Sequence, residues 1–230
     1  MIRGILTDIE GTTSAIAFVY EVLFPFARAR IADYLRANAG SPEVAEQIAA
    51  VGREVGRELT TDEAIDRLLR WMDEDRKVTP LKQLQGMIWE EGFRSGEIRG
   101  HVYEDAVRRL REWHAQGLSL YVYSSGSVQA QRLLFGHSVA GNLTPLFSGY
   151  FDTRVGGKRE AESYRTIARA TGQAPGELLF LSDVPEELDA AREAGLETAW
   201  ICRGARPDPD ARHPQYADFD GLRIEAPHPL

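Results

Sequence analysis

The chain has 230 residues, 43% of them apolar and 27% charged, which is the balance of a globular chain long enough for one large domain or one domain carrying a smaller insert. A formal net charge of −8 argues against nucleic acid or an anionic membrane surface as partner, because both call for a basic patch. The single cysteine, Cys202, excludes an intrachain disulfide or thiolate metal site, and no apolar run approaches membrane-spanning length, so the expected compartment is the cytoplasm.

Four short apolar runs bounded by turn residues read as strands: Gly4–Thr7, Leu118–Tyr123, Leu178–Leu181 and Thr198–Ile201. Their near-continuous hydrophobicity suits a parallel sheet covered on both faces. Helical patterns lie between them. One carries Val107, Leu110 and Trp113 and ends at Gly117; one carries Ala161, Tyr164, Ile167 and Ala168; one opens near Pro185. This alternation predicts an open α/β fold. From about Ala15 to Arg99 no strand-like run occurs. Helices are predicted over 22–37, 43–59, 61–73 and 81–94, which makes this stretch an all-helical insert after the first strand. In it, Trp71, Trp89 and Phe93 fall at helical spacing and are expected mainly in its core. Beyond Arg203 the Pro/Asp-rich sequence breaks regular structure, and the tail is expected as a partly ordered loop.

Three of the predicted strands end in polar residues suited to chemistry, and ligands in open parallel sheets bind beyond the carboxyl ends of the strands. Asp8 and Glu10 follow the first strand, two residues apart, with Gly11 allowing a sharp turn. An acidic pair can divide labour between attack on phosphorus and proton movement; the plain alternative is a strand end before a helix cap. Ser124, Ser125 and Gly126 follow the second strand. A hydroxyl beside backbone N–H groups at a helix start makes an anion cradle, although the same residues also cap helices. Lys158 follows the pair Gly156-Gly157 and could reach the crevice as a point charge or stand as a surface lysine. Asp183, with Glu187 four residues on, supplies carboxylate oxygens of the kind a hard cation takes; the alternatives are an N-cap and an exposed helix residue. The histidines His101, His114, His137, His213 and His228 show no metal-ligand spacing, and packing or surface positions are expected for them.

Each motif alone is unspecific. Their order, their strand-terminal placement and the helical insert between the first and second resemble the haloacid dehalogenase superfamily of phosphohydrolases. That superfamily usually has D-x-D first; Glu10 here resembles one member family, the enolase-phosphatases (acireductone synthases) of methionine salvage. The likeness extends to Asp8–Ser14, Leu84-Gln85-Gly86, Gly100–Tyr103, Tyr123–Ser127, Leu134–Ser138, Gly157-Lys158 before Glu162–Tyr164, and Phe180–Val184.

The resemblance implies a HAD-like Rossmannoid α/β core with a parallel sheet, formed by 1–14 and 100–230, and a helical cap at 15–99. It implies Asp8 as nucleophile and Glu10 as acid/base. One Mg²⁺ per chain is implied, on Asp8, Asp183 and the backbone carbonyl of Glu10. Ser124, Ser125, Gly126 and Lys158 would hold the phosphate, Lys158 also serving catalysis, and Glu187 would support the metal site through water. The implied reaction converts 2,3-diketo-5-methylthiopentyl 1-phosphate to an acireductone plus phosphate, in a cytoplasmic monomer. The alternative is a Mg-dependent phosphatase of another small phosphorylated metabolite. A dehalogenase would need neither metal nor second acid, and a non-catalytic binding module would not need Asp8 and Asp183 together.

Overall fold

Apolar β-prone runs and amphipathic helical stretches alternate as the sequence pattern predicts, and a computed structural model describes residues 1–204, 206 and 208–224. Along the chain, β1 (Gly4–Thr7) is followed by α1 (Ile16–Phe18), a π-helical turn (Val19–Leu23), α2 (Phe24–Asn38), α3 (Pro42–Val55), α4 (Thr61–Asp73) and α5 (Thr79–Ser95). Then come α6 (Glu104–Ala115), β2 (Ser119–Tyr123), α7 (Val128–Gly136), β3 (Phe147–Phe151), α8 (Ala161–Thr171), β4 (Leu178–Ser182), α9 (Pro185–Glu193), β5 (Glu197–Ile201) and β6 (Gln215–Tyr216). Two compact units result: Met1–Ile16 with Arg99–Leu230, and Ala17–Ile98.

In the first unit the strands are ordered β3-β2-β1-β4-β5-β6, and every neighbouring pair is parallel. The chain steps from β1 outward to β2 and β3, then crosses to β4 on the other side of β1. Strand order therefore reverses at β1, which makes its carboxyl end the topological switch point. Thr7 is level with Val122 of β2 and Leu181 of β4, so Asp8, Ser124 and Asp183 emerge on one edge. The strands β1 and β4 are buried throughout, as their unbroken apolar sequence requires. One face of the sheet packs Leu6, Tyr121, Tyr123 and Phe180 against Tyr164 and Ile167 of α8 and Leu188 and Ala191 of α9. Each such large side chain contributes roughly 1.5–3 kcal/mol on burial.

In the second unit, Ile31 and Leu35 of α2, Val44 and Val51 of α3, Leu68 and Trp71 of α4, and Leu84 and Ile88 of α5 form one core. Trp71 and Phe93 are buried, whereas Trp89 is half-buried and donates its indole N–H to the Leu23 carbonyl at 2.8 Å. That carbonyl ends the π-helical turn, and the indole supplies a side-chain donor there. A capping box at Thr60 and Glu63 starts α4.

Two strands escape the periodicity reading. Phe147-Ser-Gly-Tyr-Phe carries a central glycine and forms the edge strand β3. Gln215-Tyr216 forms the opposite edge, so the segment after Arg203 is not merely loop. Cys202 is buried, as expected of an inert thiol. Among the described residues, no helix is long and apolar enough to cross a membrane. His228 lies outside the described residues.

Candidate active site

The turn after β1 is built by its own backbone. The N–H groups of Thr12, Thr13 and Ser14 all donate to the Ile9 carbonyl, at 3.2, 2.9 and 2.8 Å, and the Thr13 hydroxyl donates to the Asp8 carbonyl at 3.1 Å. Asp8 is thereby fixed at the strand end with only 4% of its surface exposed, while Glu10 is exposed. Gly11 has φ +78°, and a Cβ there would fall 2.1 Å from Asp183 Oδ2. The glycine thus serves the turn and also lets the Asp183 carboxylate lie against the backbone. Thr12 Oγ1 donates to Asp183 Oδ1 at 3.3 Å and accepts from the Asp183 N–H at 3.0 Å. The first and last motifs, 171 residues apart, are thus joined by one hydroxyl.

Lys158 Nζ lies 2.6 Å from Asp8 Oδ1 and 2.7 Å from Glu187 Oε2. It is not on a flexible tether. The carbonyls of Gly156, Gly157 and Lys158 accept, in turn, from Tyr123 Oη at 2.9 Å, Ser163 Oγ at 2.8 Å and Tyr164 Oη at 2.6 Å. Three consecutive carbonyls held by side chains of β2 and α8 make this loop a rigid mount. Glu187 is not the exposed helix residue that the sequence left open. Its carboxylate is buried, accepts from Ser182 Oγ at 3.0 Å and clamps Lys158. No local pattern marks this contact, because it depends on α9 packing beside α8.

Ser124, Ser125 and Gly126 are set on the same edge by the register of β2 with β1. The Ser124 N–H donates to the Phe151 carbonyl at 3.2 Å, and its Oγ accepts from the Gly126 N–H at 3.2 Å. Ser127 caps α7 through Ala130 N–H. Ser124 is buried and Ser125 exposed.

Arg203 is a site-supporting residue outside the predicted set. Its Nε donates to the Thr12 carbonyl at 2.6 Å, its other nitrogens bind both Asp105 oxygens at 3.0 and 2.9 Å, and its guanidinium stacks 3.8 Å from the Tyr103 ring centre. Among the histidines, His101 accepts the Ala15 N–H at Nδ1 (3.0 Å), and buried His213 joins Thr198 to Asp189. A separate cavity of about 290 Å³, lined by Arg3, Gly117, Ser119, Gly172, Gln173 and Glu177, opens at the amino ends of the strands, away from these groups.

Burial raises the Asp183 carboxyl above its ordinary value, and the Asp8 charge adds to the shift. Burial likewise raises Glu187, with Asp8 adding and Lys158 opposing. Burial disfavours the Lys158 charge, but Asp8 and Glu187 outweigh it and the net shift is upward. Three carboxylates therefore face one ammonium in a half-buried space, and negative charge is in excess. A hard divalent cation fits this donor set. Among the described residues no cluster of three or more His, Cys, Asp and Glu side chains could cage a metal. Mg²⁺ keeps several waters and takes only one or two carboxylates from protein, which Asp8 and Asp183 could supply.

A buried carboxylate, a fixed lysine and a serine loop on a switch-point edge are the kinds of group that phosphoryl transfer uses. The model of the haloacid dehalogenase-like hydrolases matches residues 2–195. The chain is 59% identical to enolase-phosphatase E1 of Methylococcus capsulatus over 228 residues, covering 98% of this chain and 99% of that protein. Among solved structures, the UTR4 protein of Saccharomyces cerevisiae superposes with a TM-score of 0.81 at 34% identity, over 96% of this chain and all of that one. The fold is shared at 17% identity and a TM-score of 0.59, over 96% of each chain, with the putative hydrolase YfnB of Bacillus subtilis, solved bound to magnesium. With site parts, family model and full-length relatives in agreement, the chain belongs to the enolase-phosphatase E1 family of haloacid dehalogenase-like hydrolases.

Proposed function

We propose that this hydrolase converts 2,3-diketo-5-methylthiopentyl 1-phosphate to the acireductone 1,2-dihydroxy-3-keto-5-methylthiopentene and inorganic phosphate, the reaction of methionine salvage. The observation that carries the reading is the Lys158 ammonium bridging Asp8 and Glu187 beside Asp183. Enolisation takes a proton from the carbon next to a carbonyl, and Glu10 is the candidate base. The Asp8 carboxylate then attacks phosphorus as the P–O bond to the substrate breaks, and Glu10 gives a proton to the departing oxygen. Water, deprotonated by Glu10, attacks the aspartyl-phosphate, cleaves its P–O bond, and frees Asp8 and phosphate; the proton taken from that water passes from Glu10 to the enolate oxygen, which completes the acireductone and restores Glu10. Throughout, Lys158 and the loop of Ser124, Ser125 and Gly126 bind the phosphoryl oxygens, whose charge shifts in the transition state.

Asp8, Asp183 and the Glu10 carbonyl would hold Mg²⁺, which supplies charge neutralisation between carboxylate and phosphoryl group. The catalytic core is assigned to 1–14 and 100–230 and the cap to 15–99, and the wholly helical content of Ala17–Ile98 supports that division. The same reading implies a cytoplasmic monomer.

The test follows phosphate release and acireductone absorbance together, with and without Mg²⁺. Both signals require the metal if this reading holds; phosphate release that survives chelation overturns it. Asp8→Asn is expected to keep the fold, by circular dichroism, and to abolish both signals; wild-type turnover in that variant would refute the nucleophile. Normal enol formation by Glu10→Gln would remove Glu10 as the base.

A further inference from the structure

Gln131 lies in the first turns of α7 and has no part in the chemistry above, yet only 2% of its surface is exposed. Its Nε2 donates to two carbonyls, Gly126 and Phe151, each at 2.8 Å. Its Oε1 is buried and has no hydrogen-bond partner among the described residues. Turning the amide over would set that oxygen against two carbonyl oxygens, so the two acceptors fix its orientation. Leaving one acceptor of a buried amide unpaired is unfavourable, and packing alone would be served better by leucine or methionine. The two donated bonds are therefore what the position requires.

Both bonds fall on the serine loop or its anchor. The Phe151 carbonyl, at the end of β3, also accepts the Ser124 N–H, so one oxygen ties Gln131 to the start of the loop. The Gly126 carbonyl lies at the loop's far side, where a glycine peptide is free to rotate. A trans peptide points its C=O and its N–H in opposite directions. Anchoring the Gly126 carbonyl on Gln131 thus turns the next N–H, that of Ser127, away from the interior. The Gly126 N–H, on the preceding peptide, is held separately by Ser124 Oγ and orients that hydroxyl.

We propose that Gln131 is a positioning residue of the phosphatase reaction, locking the Ser124–Ser127 loop in the one conformation that presents the Ser124 hydroxyl to the phosphoryl group. This rests on the reading of that loop as the phosphate cradle. Gln131 touches neither substrate nor metal and acts through the two carbonyls.

The experiment uses the full chain with Mg²⁺ and inorganic phosphate as the probe. Gln131→Met keeps the volume and removes both donors. KM and the inhibition constant of phosphate are expected to rise about tenfold or more, with kcat within about threefold, the pattern of lost oxyanion binding rather than lost chemistry. Leu134→Ala, in the same helix, loosens packing without touching the loop, and its inhibition constant is expected to stay at the wild-type value. Gln131→Glu adds a pH readout. Its carboxyl can donate to one carbonyl only when protonated, so phosphate inhibition is expected to recover as the pH is lowered.

Unchanged phosphate inhibition in Gln131→Met overturns the proposal, as does an equal rise in Leu134→Ala, which would mark a general packing effect. If Gln131→Met does not fold, a pH-independent wild-type inhibition constant in Gln131→Glu overturns it instead. A wild-type enzyme that phosphate does not inhibit would defeat the cradle reading itself, a distinct result.

Discussion

Replacing Gly156 by alanine tests how Lys158 is held. Gly156 has φ +128° and ψ 179°, a region that is essentially glycine's alone. An alanine Cβ would fall 2.2 Å from Ser163 Oγ, 3.3 Å from Ser163 Cβ and 3.4 Å from Glu160 Oε2. Backbone strain there costs about 1–3 kcal/mol. Moving the Ser163 hydroxyl also gives up its bond to the Gly157 carbonyl, about 1 kcal/mol more. If the loop keeps its shape, stability falls by roughly 2–4 kcal/mol. If it relaxes, Lys158 moves, and a displacement of about 1 Å lowers the rate by about 10²-fold.

The assay pairs urea denaturation with steady-state phosphate release. Gly156→Ala is expected to lower both the midpoint and kcat. Adding Ser163→Ala removes the clash with the hydroxyl but neither the dihedral strain nor the loss of the bond to the Gly157 carbonyl, so stability is expected to stay about 2–4 kcal/mol below the wild type. A Gly156→Ala enzyme with wild-type midpoint and kcat would refute the rigid mount, and full recovery on adding Ser163→Ala would refute the backbone-strain argument.

Glu187→Gln keeps a polar group on Lys158 and Ser182 but removes one of the two charges facing the ammonium; kcat is expected to drop about 10–100-fold with the fold retained, and wild-type kcat would show that Asp8 alone suffices to place Lys158. Arg203→Met breaks the clamp on Thr12 and leaves Asp105 without its guanidinium. A stability loss of about 2–4 kcal/mol by urea denaturation is expected, together with a higher Mg²⁺ requirement, because Thr12 is what holds Asp183. Acid should weaken the fold through His213, whose folded pKa is lowered chiefly by burial. The unfolded chain then binds the extra proton first, so this contribution is complete above about pH 6.5 and is lost as the pH falls below it. Urea midpoints from pH 7.5 down to pH 5.5 should drop more in the wild type than in His213→Gln; parallel curves would rule out that role.

The sequence by itself determined the strands β1, β2, β4 and β5, the helical insert, and the polar residues at three strand ends. Continuous apolar runs and 3.6-residue periodicity are local properties, and burial enforces them wherever the strand finally sits. It also offered Asp8, Lys158 and Asp183, each unspecific alone and picked out by the order of their motifs along the chain and the helical insert between the first and second. Only the tertiary structure decided that Glu187 faces Lys158, that Thr12 and Arg203 tie the first motif to Asp183 and Asp105, and that Tyr123, Ser163 and Tyr164 hold the lysine loop. It likewise placed β3 and β6 on the sheet's edges, where a strand takes its hydrogen bonds from one neighbour and its own composition says little. These contacts join residues far apart in the chain. Such a pairing depends on how helices pack across the sheet, and no periodicity within a window of residues carries that information.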